Sequence, residues 1–210
     1  GDAVLNPKGW PTQSLGEACL VRQYGTAEKA NAEGRGLPVL RMNNLTNDGR
    51  LNLSDMKYVD LPAKEAAKLQ LCPGDVLFNR TNSLELVGKT AVWRGTEYMT
   101  FAGYLVRLQL DPAVALPDYV VVALNMPSGK ALLRSVAKPS INMANISASD
   151  LDRVKIAFPP VQMQAEFAEV VWKMDRLRAA HASAMREADT LFASLQERAF
   201  SGTLDEGPHA

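Results

Sequence analysis

Residues 158–164 read Phe158-Pro159-Pro160-Val161-Gln162-Met163-Gln164, and the 40 residues 161–200 that begin inside this stretch contain neither Gly nor Pro. That segment is rich in Ala, Glu, Arg, Met and Leu, whose side chains lose little rotamer freedom in a helix. Two prolines fit the start of such a helix and Gly202 fits its exit. The apolar positions step alternately by three and four: Phe167, Val170, Met174, Leu177, His181, Ala184, Ala188, Leu191, Leu195. This is a heptad seam, with His181 as a polar position that could set register and two alanines that permit close approach. A helix of this length extends roughly 60 Å at the α-helical rise. The spacing therefore predicts a coiled-coil partner helix, against the plainer reading of a helix lying on its own domain.

Upstream, the pattern changes. Residues 1–158 alternate short β-like runs with Gly, Pro and Asn punctuation, as expected of a mixed α+β domain. Strands are predicted over Val39–Met42, Asp75–Arg80, Thr90–Trp93, Tyr104–Leu110 and Val154–Phe158. Helices are predicted from Pro62, over Pro117–Asn125 and Gly129–Val136, with one capped turn at Ser149–Arg153. The expected organisation is a globular domain over 1–158, a long helix over 159–204 and a tail at 205–210.

Composition narrows the classes of function. Hydrophobic residues at 47% and charged residues at 22% describe an ordinary globular chain. No run approaches the roughly 18 apolar residues of a membrane span, and residues 1–7 lack the features of a signal peptide. The cytoplasm is the expected compartment. Formal net charge is zero, which gives nucleic-acid binding no direct support. The distribution is uneven, with 18 Lys/Arg against 15 Asp/Glu in residues 1–158 and 5 against 8 in 159–210. DNA binding would therefore rest on local basic loops and be weak without partners. Cys19 and Cys72 are distant in sequence, and His181 and His209 have no ligand neighbours, so no metal site is expected.

Catalytic motifs are missing. Phe158-Pro159-Pro160-Val161 has the two prolines of an amino-methyltransferase motif, but Phe158 replaces its Asp or Asn and Val161 its aromatic. No glycine-rich strand–turn–helix motif serves adenosylmethionine or ATP, and no nucleophile–base set stands out. The expectation is a protein without catalytic residues or cofactors of its own.

A series of stretches, in order, resembles the specificity (S, HsdS) subunits of type I restriction–modification systems. They are Gly9-Trp10-Pro11 with Leu15-Gly16-Glu17, Pro38 to Leu45 with Asp48-Gly49, and Leu71-Cys72-Pro73-Gly74-Asp75-Val76-Leu77-Phe78. Val87-Gly88-Lys89 and Tyr104 to Leu108 follow, then Ile141-Asn142, Asn145-Ile146-Ser147, Leu151 and Ile156 to Gln164. The series ends with Arg198-Ala199-Phe200-Ser201-Gly202-Thr203-Leu204. The resemblance implies a target recognition domain joined to a conserved helix that forms an antiparallel coiled coil. Full-length members of the family have two of each. This chain has one, so the expectation is a half-subunit, natural or excised, that acts as a homodimer on a bipartite target.

The resemblance further implies double-stranded DNA as ligand, and methyltransferase (M) and restriction (R) subunits as partners. S-adenosylmethionine, ATP and Mg would be used by those partners. DNA reading needs groups that match base edges and phosphates. The candidates are Arg41, Asn43 and Asn44 at a strand end, where turn chemistry is the competing role. Arg80, Thr81, Asn82 and Ser83 form a compact polar loop after an apolar strand and are the foremost candidates. Lys89 and Arg94 could clamp phosphates or be solvated surface charge. Lys138, Ser140 and Asn142 lie in a further polar connection, where Asn142 could instead shape the loop. A coiled-coil adaptor whose globular part binds protein is the alternative that zero net charge supports.

Overall fold

The structure, a computed structural model, describes residues 2–141 and 143–201. The chain divides into two compact units, one reaching Glu166 and the other beginning at Phe167.

The first unit is built on a four-stranded antiparallel sheet in the order β2 (Cys19–Tyr24), β9 (Leu105–Leu110), β5 (Val76–Asn79), β7 (Thr90–Val92). Successive side chains of a strand point to opposite faces, and in β5, β7 and most of β9 both faces are buried. Val76 and Phe78 of β5 with Val106 and Leu108 of β9 enter one core. Leu77, Ala91 and Leu105 enter the other. Burial on both sides explains why these strands read as continuous apolar runs. The first core is completed by helices α2 (Pro117–Asn125), α3 (Pro127–Val136) and α4 (Ala148–Asp152), through Val120, Leu124, Leu133 and Leu151. The second is completed by β3 (Leu37–Leu40) and β8 (Thr100–Phe101), and by Leu69 of α1 (Ala63–Leu69).

Three smaller sheets surround this centre. β3 pairs antiparallel with β4 (Lys57–Val59) and parallel with β8. β11 (Met143–Asn145) lies between β10 (Lys138–Ser140) and β6 (Thr81–Asn82), antiparallel to both. β1 (Thr12–Ser14) pairs antiparallel with β12 (Lys155–Ala157). The edge strand β7 is covered by Asn125, whose amide donates to the Thr90 carbonyl (2.7 Å) and accepts from its N–H (3.3 Å). Edges protected this way cannot template pairing with another chain.

The predicted strand over Val39–Met42 stops at Leu40, and a 3-10 turn over Met42–Asn44 follows. The Asn44 carbonyl oxygen Oδ1 accepts the Arg41 N–H at 2.9 Å. That side chain takes a donor the ladder would otherwise use.

α5 (Val161–Phe200) is one 40-residue helix, and no described helix is long and apolar enough to cross a membrane. Its first turn belongs to the first unit. There Gln164, fully buried, accepts from Leu116 N–H (2.9 Å) and donates to the carbonyls of Val114 (2.9 Å) and Pro159 (2.8 Å). In the second unit Phe167, Val170, Met174, Leu177, Leu191 and Leu195 are all exposed, and so are His181, Ala184 and Ala188.

Candidate nucleic-acid interface

Two polar segments more than fifty residues apart in sequence become neighbours in the β10-β11-β6 sheet. Thr81 and Asn82 pair across β11 with Asn145 and Ala144, and Lys138 and Ser140 pair on its other side with Asn145 and Met143. Asn145 thus joins them, and the Thr81 hydroxyl donates to its Oδ1 at 3.1 Å. Asn82 is buried, with Oδ1 accepting the Ser83 N–H at 2.9 Å.

Arg80 stands at the head of this sheet. Its N–H donates to the Tyr104 carbonyl (3.0 Å) and its carbonyl accepts from Ile146 N–H (2.8 Å), so two distant segments hold its backbone. Its guanidinium carbon lies 5.0 Å from the centre of the Tyr24 ring, in the range of a cation–π contact. The Tyr24 hydroxyl accepts from Ala148 N–H at 3.0 Å, which fixes the ring. Among the described residues the Arg80 guanidinium makes no ion pair, and its buried Nε has no hydrogen-bond partner. Ile141, in the β10–β11 connection, is 91% exposed.

Lys138 and Asp150 form an ion pair at 3.0 Å. Asp150 is buried, and it also accepts from Ser147 Oγ (2.5 Å) and Arg153 (2.5 Å). The hydrogen bonds from Ser147 and then Lys138 bring its carboxyl down to about 2. Ser140 is exposed. Asn142 lies outside the described residues.

The second group of candidates gathers at the 3-10 turn. Asn44 is buried and ties the turn together, its amide donating to the Asn52 (2.9 Å) and Asp55 (3.2 Å) carbonyls. Arg41 is paired with Asp55 at 2.9 Å. Asn43, between them, is exposed. Lys89 is buried and its ammonium donates to the Met42 carbonyl at 2.8 Å, which joins this turn to the start of β7. Arg94 pairs with Asp118 of α2.

Sequence reasoning missed two cations beside Lys89. Lys130 of α3 donates to the Gly88 carbonyl at 2.7 Å, and Arg134 lies one turn further, its Nε donating to the Lys130 carbonyl at 3.2 Å. Gly88 has φ +81°, and a Cβ there would meet Leu133 at 2.8 Å, so this loop–helix approach needs glycine. Burial, then the charges of Lys89 and Arg134, bring Lys130 down to about 8; burial also lowers Lys89. Gly129-Lys130 gave no motif by which to single it out.

The proteins to which this chain is similar are specificity subunits of type I restriction–modification systems. The chain is a relative of these subunits. It is 28% identical over 173 residues to the putative type I restriction enzyme MjaX specificity subunit of Methanocaldococcus jannaschii, covering 81% of this chain and 40% of that protein. To the EcoKI specificity subunit of Escherichia coli it is 27% identical over 187 residues, covering 86% of this chain and again 40% of the relative. The chain thus spans well under half the length of these curated relatives. Among solved structures, the S subunit from M. genitalium matches with a TM-score of 0.63 at 16% identity, over 98% of this chain and 50% of that one. The HsdS subunit from Thermoanaerobacter tengcongensis matches at 0.52 and 23%, over 94% and 46%. These two show the fold. No protein-family profile matches the chain.

Proposed function

We propose that the chain is a DNA-recognition module: its first unit reads one half of a bipartite duplex target, and α5 pairs antiparallel with the same helix of a second copy. The observation that carries the reading is the joining of Arg80–Ser83 to Lys138–Ser140 through β11, beneath an arginine whose guanidinium forms no ion pair among the described residues. Arg offers a fork of donors that matches guanine O6 and N7, while Thr, Ser and Lys suit phosphates. The similarity to specificity subunits supports the same reading. In it, the chain performs no catalysis. Methyltransferase and restriction subunits dock on it, and adenine is methylated in the partner on a flipped base. Adenosylmethionine, ATP and Mg belong to those partners.

The test is selection from a random-duplex library, with and without a candidate methyltransferase subunit. A split motif with a fixed spacer is the expected outcome, and it would also require two readers. Recovery of no motif at low salt with the partner present would replace this reading by a protein-binding adaptor.

A further inference from the structure

Lys89 is buried and Lys130 half-buried, the Lys130 ammonium bonds at 2.7 Å to the carbonyl of Gly88, the residue just before Lys89, and neither lysine pairs with a carboxylate among the described residues. Each has three donors, and each uses one, on the carbonyls of Met42 and Gly88 respectively. Those carbonyls fix where the charges sit. Packing cations together without a counter-ion is costly, and an apolar side chain at either position would avoid that cost. Arg134 adds a third, exposed cation one helical turn from Lys130.

We propose that Lys89, Lys130 and Arg134 form a clamp for one phosphodiester of the DNA backbone. The inference rests on the DNA-recognition reading and adds two residues to it. The clamp connects the turn that carries Asn43 to the loop that follows Thr81-Asn82-Ser83. A phosphate held there would fix the register of both segments on the duplex, which is what backbone contacts contribute to recognition. Binding would favour the charged form of Lys130, so affinity falls as pH rises through about 8, where the free ammonium loses its proton. The charged groups that bear on this titration are Lys89 from the start of β7 and Arg134 from α3.

The test compares the full chain with Lys130→Met and Lys130→Arg in duplex binding over a range of salt and pH. Lys130→Met is expected to weaken binding on the order of ten-fold for every sequence and to reduce the slope of log affinity on log salt by about 1. Its thermal midpoint should not fall, because an unpaired charge has been removed. Lys130→Arg should bind with no decline through pH 8. Equal salt slopes for wild type and Lys130→Met would overturn the clamp. If the wild type binds no duplex even at low salt with a methyltransferase subunit present, the recognition reading itself falls, and NMR of the lysine side chains with inorganic phosphate as probe decides what is left. A Lys130 midpoint unmoved by phosphate overturns the anion site as well; a raised midpoint keeps an anion site and overturns its assignment to DNA.

Discussion

Arg80 is held by its backbone on both sides and stacked on Tyr24, so its fork is pre-organised, and the residue is only half-buried. Lys in its place would keep the charge and lose the planar donor pair. Arg80→Lys should therefore relax discrimination at one base position by about 1–3 kcal/mol, with little change at the others. Affinities for single-base variants of the selected target measure this, and an unaltered profile would remove Arg80 from base reading. The loop was legible because four polar residues follow an apolar strand. Its partner strand was not, because Met143–Asn145 has three residues and no β-branched side chain. Nor can a sequence show that Lys138 pairs with Asp150, that Asn44 is consumed within its own turn, or that Lys130 bonds to the Gly88 carbonyl. These depend on which segments the fold brings into contact, and each alters how much of a candidate side chain is available to a ligand.

At the scale of elements, the doubly buried strands and the helices opened by proline declared themselves through apolar runs and fixed φ at the first turn. Two-residue strands such as Thr81–Asn82 and Thr100–Phe101 have too little length for any period. The strand Cys19–Tyr24 escaped notice because it is an edge strand, mostly exposed, with a bulge between Cys19 and Val21. The short helix Ala148–Asp152 depends on its reciprocal cap, in which Ser147 and Asp150 exchange side-chain and backbone bonds. Asp150→Asn should cost about 2 kcal/mol at neutral pH, since it weakens charge-assisted bonds to buried oxygens. The folded carboxyl titrates below the unfolded one, so this stability is present above the unfolded value near 3.8 and is lost as pH falls toward about 2. Denaturation of wild type and variant should thus converge on acidification; a constant difference down to pH 2 would contradict the cap's role.

For the whole molecule, the proposed dimer depends on a face that continues over the length of α5. Val171, Met185 and Phe192 flank the predicted seam at the positions that follow Val170, Ala184 and Leu191, so the apolar stripe is wider than a two-position seam. The pair Leu177→Glu and Leu191→Glu sets carboxylates into it and should give a monomer in sedimentation, with the first unit still folded and the split motif reduced to a half-site. A variant that stays dimeric would assign the face to something other than a second copy. Heptad spacing from Phe167 to Leu195, and a run without Gly or Pro, made the helix legible; α5 is Val161–Phe200, and residues 202–204 of the expected 159–204 helix lie outside the described residues. The spacing says nothing about what covers the stripe.

The pairing of β1 with β12 has a consequence for synthesis. Thr12 meets Ala157 and Ser14 meets Lys155, so the first strand waits for nearly the whole unit to leave the ribosome. Contacts this remote in sequence slow folding, because loop-closure entropy is spent before they form. The central sheet can assemble earlier from residues 19–110. The last step then coincides with the synthesis of α5, so the first unit closes only as the apolar stripe of that helix is being made.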